Sequence, residues 1–222
     1  MTKTDNDAFS AAQARQLAAI IAIIAGVSVI LQLGLNFSRA FEKGTPIWMV
    51  PIDLFGYFTI WSNTLVALIT ARFARGGDER GLGAPWLLAA AVVYICVVGV
   101  IYNLLLAPYN PQVGVRKLLD VIFHTVIPVA YPMWWLTQTR RGQVQWSALV
   151  PSLVFPLAYC LLAMAKGALT GKYAYFFIDI DRYDLGQVLI NIGGLAMLYA
   201  VLMALVIGFD RRERDSVAGP AT

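Results

Sequence analysis

Six long apolar stretches follow one another along the chain, and short polar connections separate them. Each stretch is long enough to cross a hydrocarbon core of about 30 Å as an α-helix that rises 1.5 Å per residue. The pattern predicts an all-α fold, a polytopic integral membrane bundle of six transmembrane helices. We expect these helices near residues 17–36, 52–71, 86–107, 117–136, 145–166 and 185–208.

The polar connections are too short to form a separate soluble domain. We therefore predict one membrane domain over residues 16–209, with an N-terminal tail at residues 1–15 and a C-terminal tail at residues 210–222. The leader before the first stretch contains Asp5 and Asp7, and the apolar core that follows has about 20 residues, more than a secretory signal peptide usually has. The first stretch is therefore expected to be retained as a helix.

The composition supports a membrane location. Hydrophobic residues make up 59% of the 222 residues and charged residues only 14%, whereas a soluble domain has about a quarter charged residues. The formal net charge is +4, but most cations stand in short loops beside the apolar stretches, as membrane topology requires, so we expect no nucleic-acid partner. Cys96 and Cys160 lie within apolar stretches and lack a metal-ligand spacing, so both are expected to be buried thiols.

The distribution of lysine and arginine predicts how the chain faces. With six spans both termini lie on one side, and that side carries ten of these cations against seven on the other. The clusters at 72–80, 140–141 and 211–214 favour a cytoplasmic position for both termini. The two longest outer connections, 37–51 and 167–184, are rich in aromatic residues, which would form either an interfacial belt or a lid over the outer mouth.

Polar residues inside the apolar stretches gather towards the outer end of the predicted bundle. Thr59 is about seven residues into the second stretch and His124 about seven into the fourth, which places both roughly 10 Å deep from the same side. Hydrocarbon offers no hydrogen-bond partners, so such residues indicate a site. Four further polar residues lie in the outer halves of other stretches: Gln32, Asn36, Asn103 and Asn191.

Helical spacing groups three of the polar residues of the second stretch. Thr59, Ser62 and Asn63 stand at i, i+3 and i+4, so they share one helix face. Two structural interpretations stay open beside a functional one. The Thr59 hydroxyl can donate to the carbonyl one turn back, and Ser62 and Asn63 can form polar contacts between packed helices.

The fourth stretch contains a second spaced pair. Asp120 and His124 are i, i+4 neighbours, so the carboxylate can hold the imidazole in one tautomer and stabilise its protonated form. Asp120 also fits an interfacial charge beside Lys117 or Arg116. Pro128, one turn beyond His124, frees a backbone carbonyl and is expected to bend the helix there.

These residues together suggest nucleophilic catalysis. A hydroxyl becomes a strong nucleophile once a base takes its proton, and His124 is the only side chain here whose ordinary pKa is near neutrality. Thr59 supplies the hydroxyl. Amide donors from Asn63, Asn103 and Asn191 can stabilise an oxyanion. A site in the outer half of the bundle suits an amphipathic acyl ester whose tails remain in lipid.

Three motifs resemble one family of membrane proteins. Residues 58–63, Phe-Thr-Ile-Trp-Ser-Asn, resemble the Phe-Thr-x-x-Ser-Asn motif of the androgen-induced-gene-one-like membrane proteins. Residues 123–128, Phe-His-Thr-Val-Ile-Pro, resemble its histidine motif, and residues 175–191 are similar to its last loop and last helix. The motifs keep their order over residues 15–208, and the loop is most like that of the bacterial branch.

The resemblance implies a membrane-embedded threonine hydrolase, an esterase of lipid metabolism. In the characterised animal members of that family the matching threonine and histidine hydrolyse fatty acid esters of hydroxy fatty acids, which implies that Thr59 is the nucleophile and His124 the base. The supporting roles of Asp120 and the asparagines are not part of the resemblance. Ser62, on the same helix face as Thr59, is a further supporting candidate. It also implies a multi-pass protein of a bacterial-type inner (plasma) membrane.

A second function class stays open. The chain can be a non-enzymatic lipid-binding, transport or regulatory protein, in which His124 and Asp120 relay protons or contact a ligand. No internal repeat relates residues 17–107 to 117–208, whereas transporters often contain one. In either case we expect no metal and no cofactor, because the chain has one histidine and no cysteine cluster.

Overall fold

The apolar stretches fold into helices because a backbone in hydrocarbon must satisfy its N–H and C=O groups within its own segment. The computed structural model describes the backbone of residues 3–218 and the side chains of residues 11–212, and this part of the chain contains helices and loops only. The α-helices are α1 (Lys3–Glu42), α2 (Met49–Leu54), α3 (Phe58–Ala74), α4 (Pro85–Ile101), α5 (Gly114–Val121), α6 (Ile127–Gln138), α7 (Leu149–Thr170) and α8 (Leu185–Ala218).

Five helical segments of the described chain are long and apolar enough to cross a membrane. They coincide with the first, third, fourth, fifth and sixth predicted spans. Their bounds are Ala11–Glu42, Pro85–Tyr109, Gly114–Gln138, Trp146–Thr170 and Leu185–Arg212.

The second predicted span is not one continuous helix. Residues 55–57 separate the short α2 from α3, which has 17 residues. Side chains satisfy the carbonyls in this break, since Trp61 Nε1 donates to Phe55 O at 2.6 Å and the Tyr159 hydroxyl donates to Gly56 O at 2.7 Å. The expectation of a helix from residue 52 is therefore wrong, and the helix that carries Thr59 begins at Phe58.

Two π-helical turns interrupt the regular helices. One, Tyr102–Leu106, continues α4, and the other, Ile122–Val126, joins α5 to α6. The second has a clear cause, because Pro128 has no N–H to pair with the carbonyl of His124 four residues earlier. Asn103 Nδ2 donates to that carbonyl at 2.8 Å. The sequence predicted a disturbance next to His124, and the structure shows that it is a π turn.

Helix α4 lies at the centre of the bundle. It contacts α3, α6, α7 and α8, and it is the most buried of the five long apolar segments. Small residues permit these close approaches, since Ala89, Ala90 and Ala91 are almost fully buried. The Tyr131 hydroxyl on α6 donates to Leu88 O at 3.1 Å. Helix α1 packs mainly along α3.

The predicted tails continue the terminal helices over the described residues. Helix α1 begins at Lys3, and the carbonyl of Ala14 accepts a hydrogen bond from Trp134 Nε1 at 3.2 Å. Helix α8 runs to Ala218, and buried Asp210 accepts the backbone N–H of Val144 at 2.9 Å. Residues 1–2 and 219–222 of the predicted tails lie outside the described residues.

The contact between α4 and α6 gives a stability prediction. A Cβ at position 99 would lie 2.7 Å from the Cβ of Pro128 and 3.3 Å from the carbonyl oxygen of His124. We expect Gly99→Ala to lower the free energy of unfolding by about 1–3 kcal/mol through overpacking. Gly193→Ala is the matched control, because nothing lies within 4 Å of its Cβ position. Equal thermal unfolding of the two variants in detergent would contradict this packing.

Candidate active site

Thr59 and His124 meet although 65 residues separate them in the chain. Thr59 is the second residue of α3, and His124 lies in the π turn between α5 and α6. The Thr59 Oγ1 atom is 3.4 Å from His124 Nε2. The hydroxyl and the imidazole are therefore within reach of a hydrogen bond, the arrangement that a nucleophile and its base require.

The partners of the other ring nitrogen determine the tautomer of His124. Its Nδ1 atom lies 2.9 Å from the carbonyl oxygen of Asp120 and 3.1 Å from the carboxylate Oδ1 of the same residue. Both of these oxygens accept hydrogen bonds, so Nδ1 carries the proton in the neutral ring. The lone pair of Nε2 then faces the hydroxyl of Thr59, and Nε2 can take its proton.

Asp120 contacts both His124 and Lys117, the two partners that the sequence offered. One carboxylate oxygen contacts the imidazole, and the other lies 3.4 Å from Lys117 Nζ. The Asp120 side chain is 8% exposed and that of His124 is 12% exposed, whereas that of Lys117 is 58% exposed. The interaction between Asp120 and His124 is therefore shielded from solvent, and the lysine contributes a screened contact at the rim.

Tyr102 covers one face of the imidazole. The two rings are parallel within 9°, and their centroids are 3.4 Å apart. This contact restricts rotation of the His124 ring and limits access to it from that side. The position of Tyr102 could not be predicted from the sequence, because its approach depends on the π turn that begins at this residue.

The amides of Asn63 and Asn103 bind backbone carbonyls. Asn63 Nδ2 donates to Thr59 O at 2.8 Å and to Phe123 O at 3.4 Å. Asn103 Nδ2 donates to Gly99 O at 2.9 Å and to the carbonyl of the histidine at 2.8 Å. Each amide thus uses both of its hydrogens, and the predicted oxyanion role of these two residues has no free donor. Their hydrogen bonds instead connect α3 and α4 to the π turn.

Asn191 and Ser62 do not hydrogen bond to the Thr59 hydroxyl or to the His124 ring. Asn191 Nδ2 donates to Phe177 O at 2.9 Å, and Gln187 Nε2 donates to Asn191 Oδ1 at 2.9 Å, so this pair fixes the loop before α8. The Ser62 hydroxyl is buried without a hydrogen-bond partner among the described residues, and Ser62 lines neither cavity at the site. An oxyanion beside Thr59 would therefore need other donors.

The start of α3 supplies alternative donors. Tyr57, which precedes the helix, has an extended backbone and makes no side-chain cap. The first N–H groups of a helix lack partners within it and form the positive end of its dipole. Thr59 therefore lies where a helix terminus favours negative charge. Phe58 anchors this terminus through ring contacts at 5.1–6.2 Å with Tyr94, Phe155, Tyr159 and Tyr199.

Tyr175 brings a phenol hydroxyl to the same place. It belongs to the loop before α8, its hydroxyl interacts electrostatically with the Thr59 side chain and the Phe58 backbone, and its ring centroid lies 6.4 Å from that of Tyr159. Burial raises the pKa of Tyr175 to about 12, against the smaller lowering effect of its polar neighbours, so the phenol keeps its proton near neutrality. A neutral phenol beside the Thr59 hydroxyl can donate a hydrogen bond to an anionic oxygen.

The two aromatic loops differ in structure. In the loop before α8, Tyr175 and Phe176 line the cavities beside Thr59, so this segment covers the site. In the other predicted connection, residues 37–51, Phe41 in the last turn of α1 and Trp48 before α2 are exposed, at 83% and 69%. The loop before α8 therefore has the position of a lid, whereas the exposed aromatic side chains of residues 37–51 have the position of an interfacial belt.

Two cavities adjoin at the Thr59 side chain. One has a volume of about 200 Å³ and an almost wholly apolar lining from α4, α7, α8 and the loop before α8. The other, of about 780 Å³, contains His124, Asp120 and several cations. Thr59 lines both cavities, so an ester at its hydroxyl can extend an acyl chain into one and a polar group into the other. The other residues lining both are Tyr102, Leu106, Tyr175 and Phe176.

Metal-ligating side chains do not cluster at this site. In the part of the chain that the structure describes, no three His, Cys, Asp or Glu side chains are close enough to hold a metal ion together. Cys96 and Cys160 are free thiols on different helices, and Cys160 lines the apolar cavity. The groups that can act on a substrate here are the hydroxyl of Thr59, the imidazole of His124 and their hydrogen-bond partners.

No protein-family model, curated protein or solved structure matches this chain. The likeness of its three motifs to the androgen-induced-gene-one-like proteins therefore stays a prediction. What the side chains can do chemically follows from their geometry, above all from the contact between Thr59 and His124.

The tautomer of His124 is directly measurable, because the chain contains one histidine. In protein labelled with ¹⁵N-histidine, we expect a single neutral imidazole signal of the Nδ1–H form at alkaline pH. Thr59→Val should keep this tautomer, because the two acceptors on Asp120 remain. An Nε2–H signal in the wild-type protein would contradict the proton-accepting orientation towards Thr59.

Proposed function

We propose that the protein is an intramembrane lipid ester hydrolase, with Thr59 as the nucleophile and His124 as the base. The observation that carries the proposal is the 3.4 Å contact between Thr59 Oγ1 and His124 Nε2 at the junction of an apolar and a polar cavity. The proposed substrates are fatty acid esters of hydroxy fatty acids or similar acyl lipids, which the motif resemblance implies.

The first half of the proposed reaction forms an acyl-enzyme. Thr59 Oγ1 attacks the ester carbonyl carbon while His124 Nε2 takes the hydroxyl proton. The carbonyl oxygen becomes an oxyanion at the start of α3, within reach of the uncapped backbone N–H groups and the Tyr175 phenol. When the tetrahedral intermediate collapses, the bond to the alcohol oxygen breaks and the imidazolium donates its proton to that oxygen.

The second half releases the acid. Water from the wider cavity attacks the acyl-threonine carbonyl, and His124 Nε2 takes a proton from this water. Collapse of the second intermediate breaks the bond to Thr59 Oγ1, which regains a proton from the imidazolium. The products are a carboxylic acid and an alcohol, and the enzyme returns to its starting state without any oxidant or reductant.

Asp120 has a positioning role in this proposal. Its two acceptor oxygens keep the proton on Nδ1, and its carboxylate stabilises the imidazolium that forms twice in each cycle. Tyr102 holds the ring plane through stacking. Both residues thus act on the substrate through His124.

The proposal includes a topology in the membrane. Five long apolar helices support a multi-pass membrane protein. We assign a sixth crossing to α2 and α3 together, with both termini on the cytoplasmic side, because lysine and arginine are more numerous on that side. The site then opens towards the outer leaflet of a bacterial-type inner (plasma) membrane.

A non-enzymatic lipid-binding role is the second candidate. The pair of adjoining cavities favours the binding of an amphiphile whether or not its ester is cleaved. Turnover distinguishes the two functions, and so does the reactivity of the threonine hydroxyl towards an electrophile that mimics an ester.

A fluorophosphonate probe tests the nucleophile. We expect the probe to label wild-type protein at Thr59, because His124 activates this hydroxyl, and we expect Thr59→Val to abolish labelling. Thr59→Ser should still be labelled. The matched control is Thr125→Val, which removes an exposed threonine hydroxyl of the same π turn that lines neither cavity. Labelling that persists in folded Thr59→Val protein would rule out the assignment.

Replacement of Asp120 tests the positioning role. We expect Asp120→Asn to lower kcat by about 10²–10⁴-fold with little change in KM, because the amide no longer stabilises the imidazolium. Lys117→Gln is the control, since it removes the other partner of this carboxylate at an exposed position. We expect it to change kcat by less than about threefold. Equal losses in the two variants would contradict a specific role for the contact with His124.

A further inference from the structure

Positive charge is concentrated in the wider cavity. Five cations line it, against the two carboxylates of Asp53 and Asp120. They come from α1, the loop after α1, α5, α7 and the loop before α8, so the fold brings them together from distant parts of the sequence. The five are Arg39, Lys43, Arg116, Lys166 and Lys172.

The two carboxylates of this cavity are already engaged. Asp53 Oδ1 lies 2.9 Å from Lys166 Nζ, so this ion pair is internally balanced. Asp120 contacts His124 and Lys117. The remaining four cations, Arg39, Lys43, Arg116 and Lys172, are here called the cation cluster. None of them forms an ion pair with a side chain of residues 11–212.

Neutral groups hold Arg116 in place. Its Nη1 donates to Asn36 Oδ1 at 3.2 Å, and its Nη2 donates to Leu35 O at 3.0 Å. Gln32 Nε2 donates to the same Asn36 oxygen at 2.9 Å. Gln32 and Asn36, which the sequence placed at the outer end of the first span, thus orient a guanidinium without neutralising it. A guanidinium fixed in this way is preorganised to bind the carboxylate or phosphate of a ligand.

The cation cluster is connected to the reacting groups. Arg116, Asp120 and His124 stand at i, i+4 and i+8 on one continuous helical segment, and all three line the wider cavity. The segment rises about 12 Å from Arg116 to His124, at 1.5 Å per residue. The apolar cavity adjoins the same threonine on its other side. One elongated amphiphile can therefore contact the guanidinium, the nucleophile and the apolar wall together.

We propose that the cation cluster binds the anionic oxyacid group, a carboxylate or a phosphate, of an amphiphile whose acyl chain occupies the apolar cavity. This inference rests on the proposed function for the position of the ester at Thr59, but the binding itself does not require hydrolysis. Charge-assisted hydrogen bonds from Arg116 fix the anionic end, and the neighbouring cations raise the local concentration of anions.

Binding to a catalytically silent variant tests the inference. The protein is Thr59→Val in phosphatidylcholine nanodiscs, and the probes are a fluorescent long-chain fatty acid and its methyl ester. We expect the free acid to bind about tenfold or more tightly than the methyl ester, the size of effect that a charged hydrogen bond gives. In the Thr59→Val background, a second substitution, Arg116→Gln, should remove most of this preference. Arg116→Lys in the same background should keep part of it.

Two further variants separate charge recognition from folding. Lys172→Gln changes an exposed member of the cation cluster and should reduce the preference for the free acid severalfold without loss of folded protein. Arg140→Gln removes an exposed cation that lines neither cavity, and it should leave the preference unchanged. Equal binding of acid and methyl ester, or a preference that survives both Arg116→Gln and Lys172→Gln, would overturn the inference.

The same assay identifies the anionic group and keeps the two proposals separate. A lysophosphatidic acid probe that binds more tightly than the fatty acid indicates a phosphate, and the reverse order indicates a carboxylate. Charge-dependent binding without any fluorophosphonate labelling at Thr59 would support the anion site and overturn the hydrolase. Labelling of Thr59 together with binding that does not depend on the charge of the probe would support the hydrolase and overturn the anion site.

Discussion

Backbone carbonyls that lack a helical partner are the constraint on which the site depends. Such groups are costly in an apolar bundle, so each one must find another donor. Pro128 frees the carbonyl of His124, and the amide of Asn103 donates to it. The break before α3 frees two more carbonyls, and Trp61 and Tyr159 donate to those. Asn103, Trp61 and Tyr159 are therefore needed to satisfy the irregular backbone, whether or not the site catalyses a reaction.

The irregular backbone also positions the Thr59 hydroxyl and the His124 imidazole. Because the chain breaks before α3, Thr59 is in the first turn of a helix that has no side-chain cap. Because a π turn precedes Pro128, His124 extends towards that terminus while Nδ1 still reaches Asp120. A regular helix at either place would satisfy more hydrogen bonds internally. The buried α4 packs against α3 and both π turns, so burial of apolar surface offsets the hydrogen bonds that these irregular segments lack.

Hydropathy and spacing predicted much of this architecture and part of the site. The length of the apolar stretches predicts the all-α class and five of the long helices. The helical rise per residue predicts that Thr59 and His124 lie at the same depth. The break before α3 could not be predicted in this way, because Gly56 is stabilised by Tyr159, a contact across 103 residues of sequence. The asparagines were expected to bind a substrate oxygen, but their amides satisfy backbone carbonyls, whose need for donors depends on the π turn. The positions of Tyr102 and Tyr175 at the site could not be predicted, because aromatic residues are common in membrane loops and helices and the approach of Tyr102 depends on its π turn.

The separation of apolar and charged surface explains why the site lies at one end of the bundle. Unpaired cations are costly in the hydrocarbon core but tolerable near the headgroups, where long side chains reach water. Ester cleavage, by contrast, benefits from exclusion of water around the oxyanion and the base. The Thr59 hydroxyl lies at the boundary of these two environments, with an apolar cavity on one side and a cation-lined cavity on the other. An amphiphile has the same division within its own structure, so under the proposed function its insertion places the ester beside the Thr59 hydroxyl.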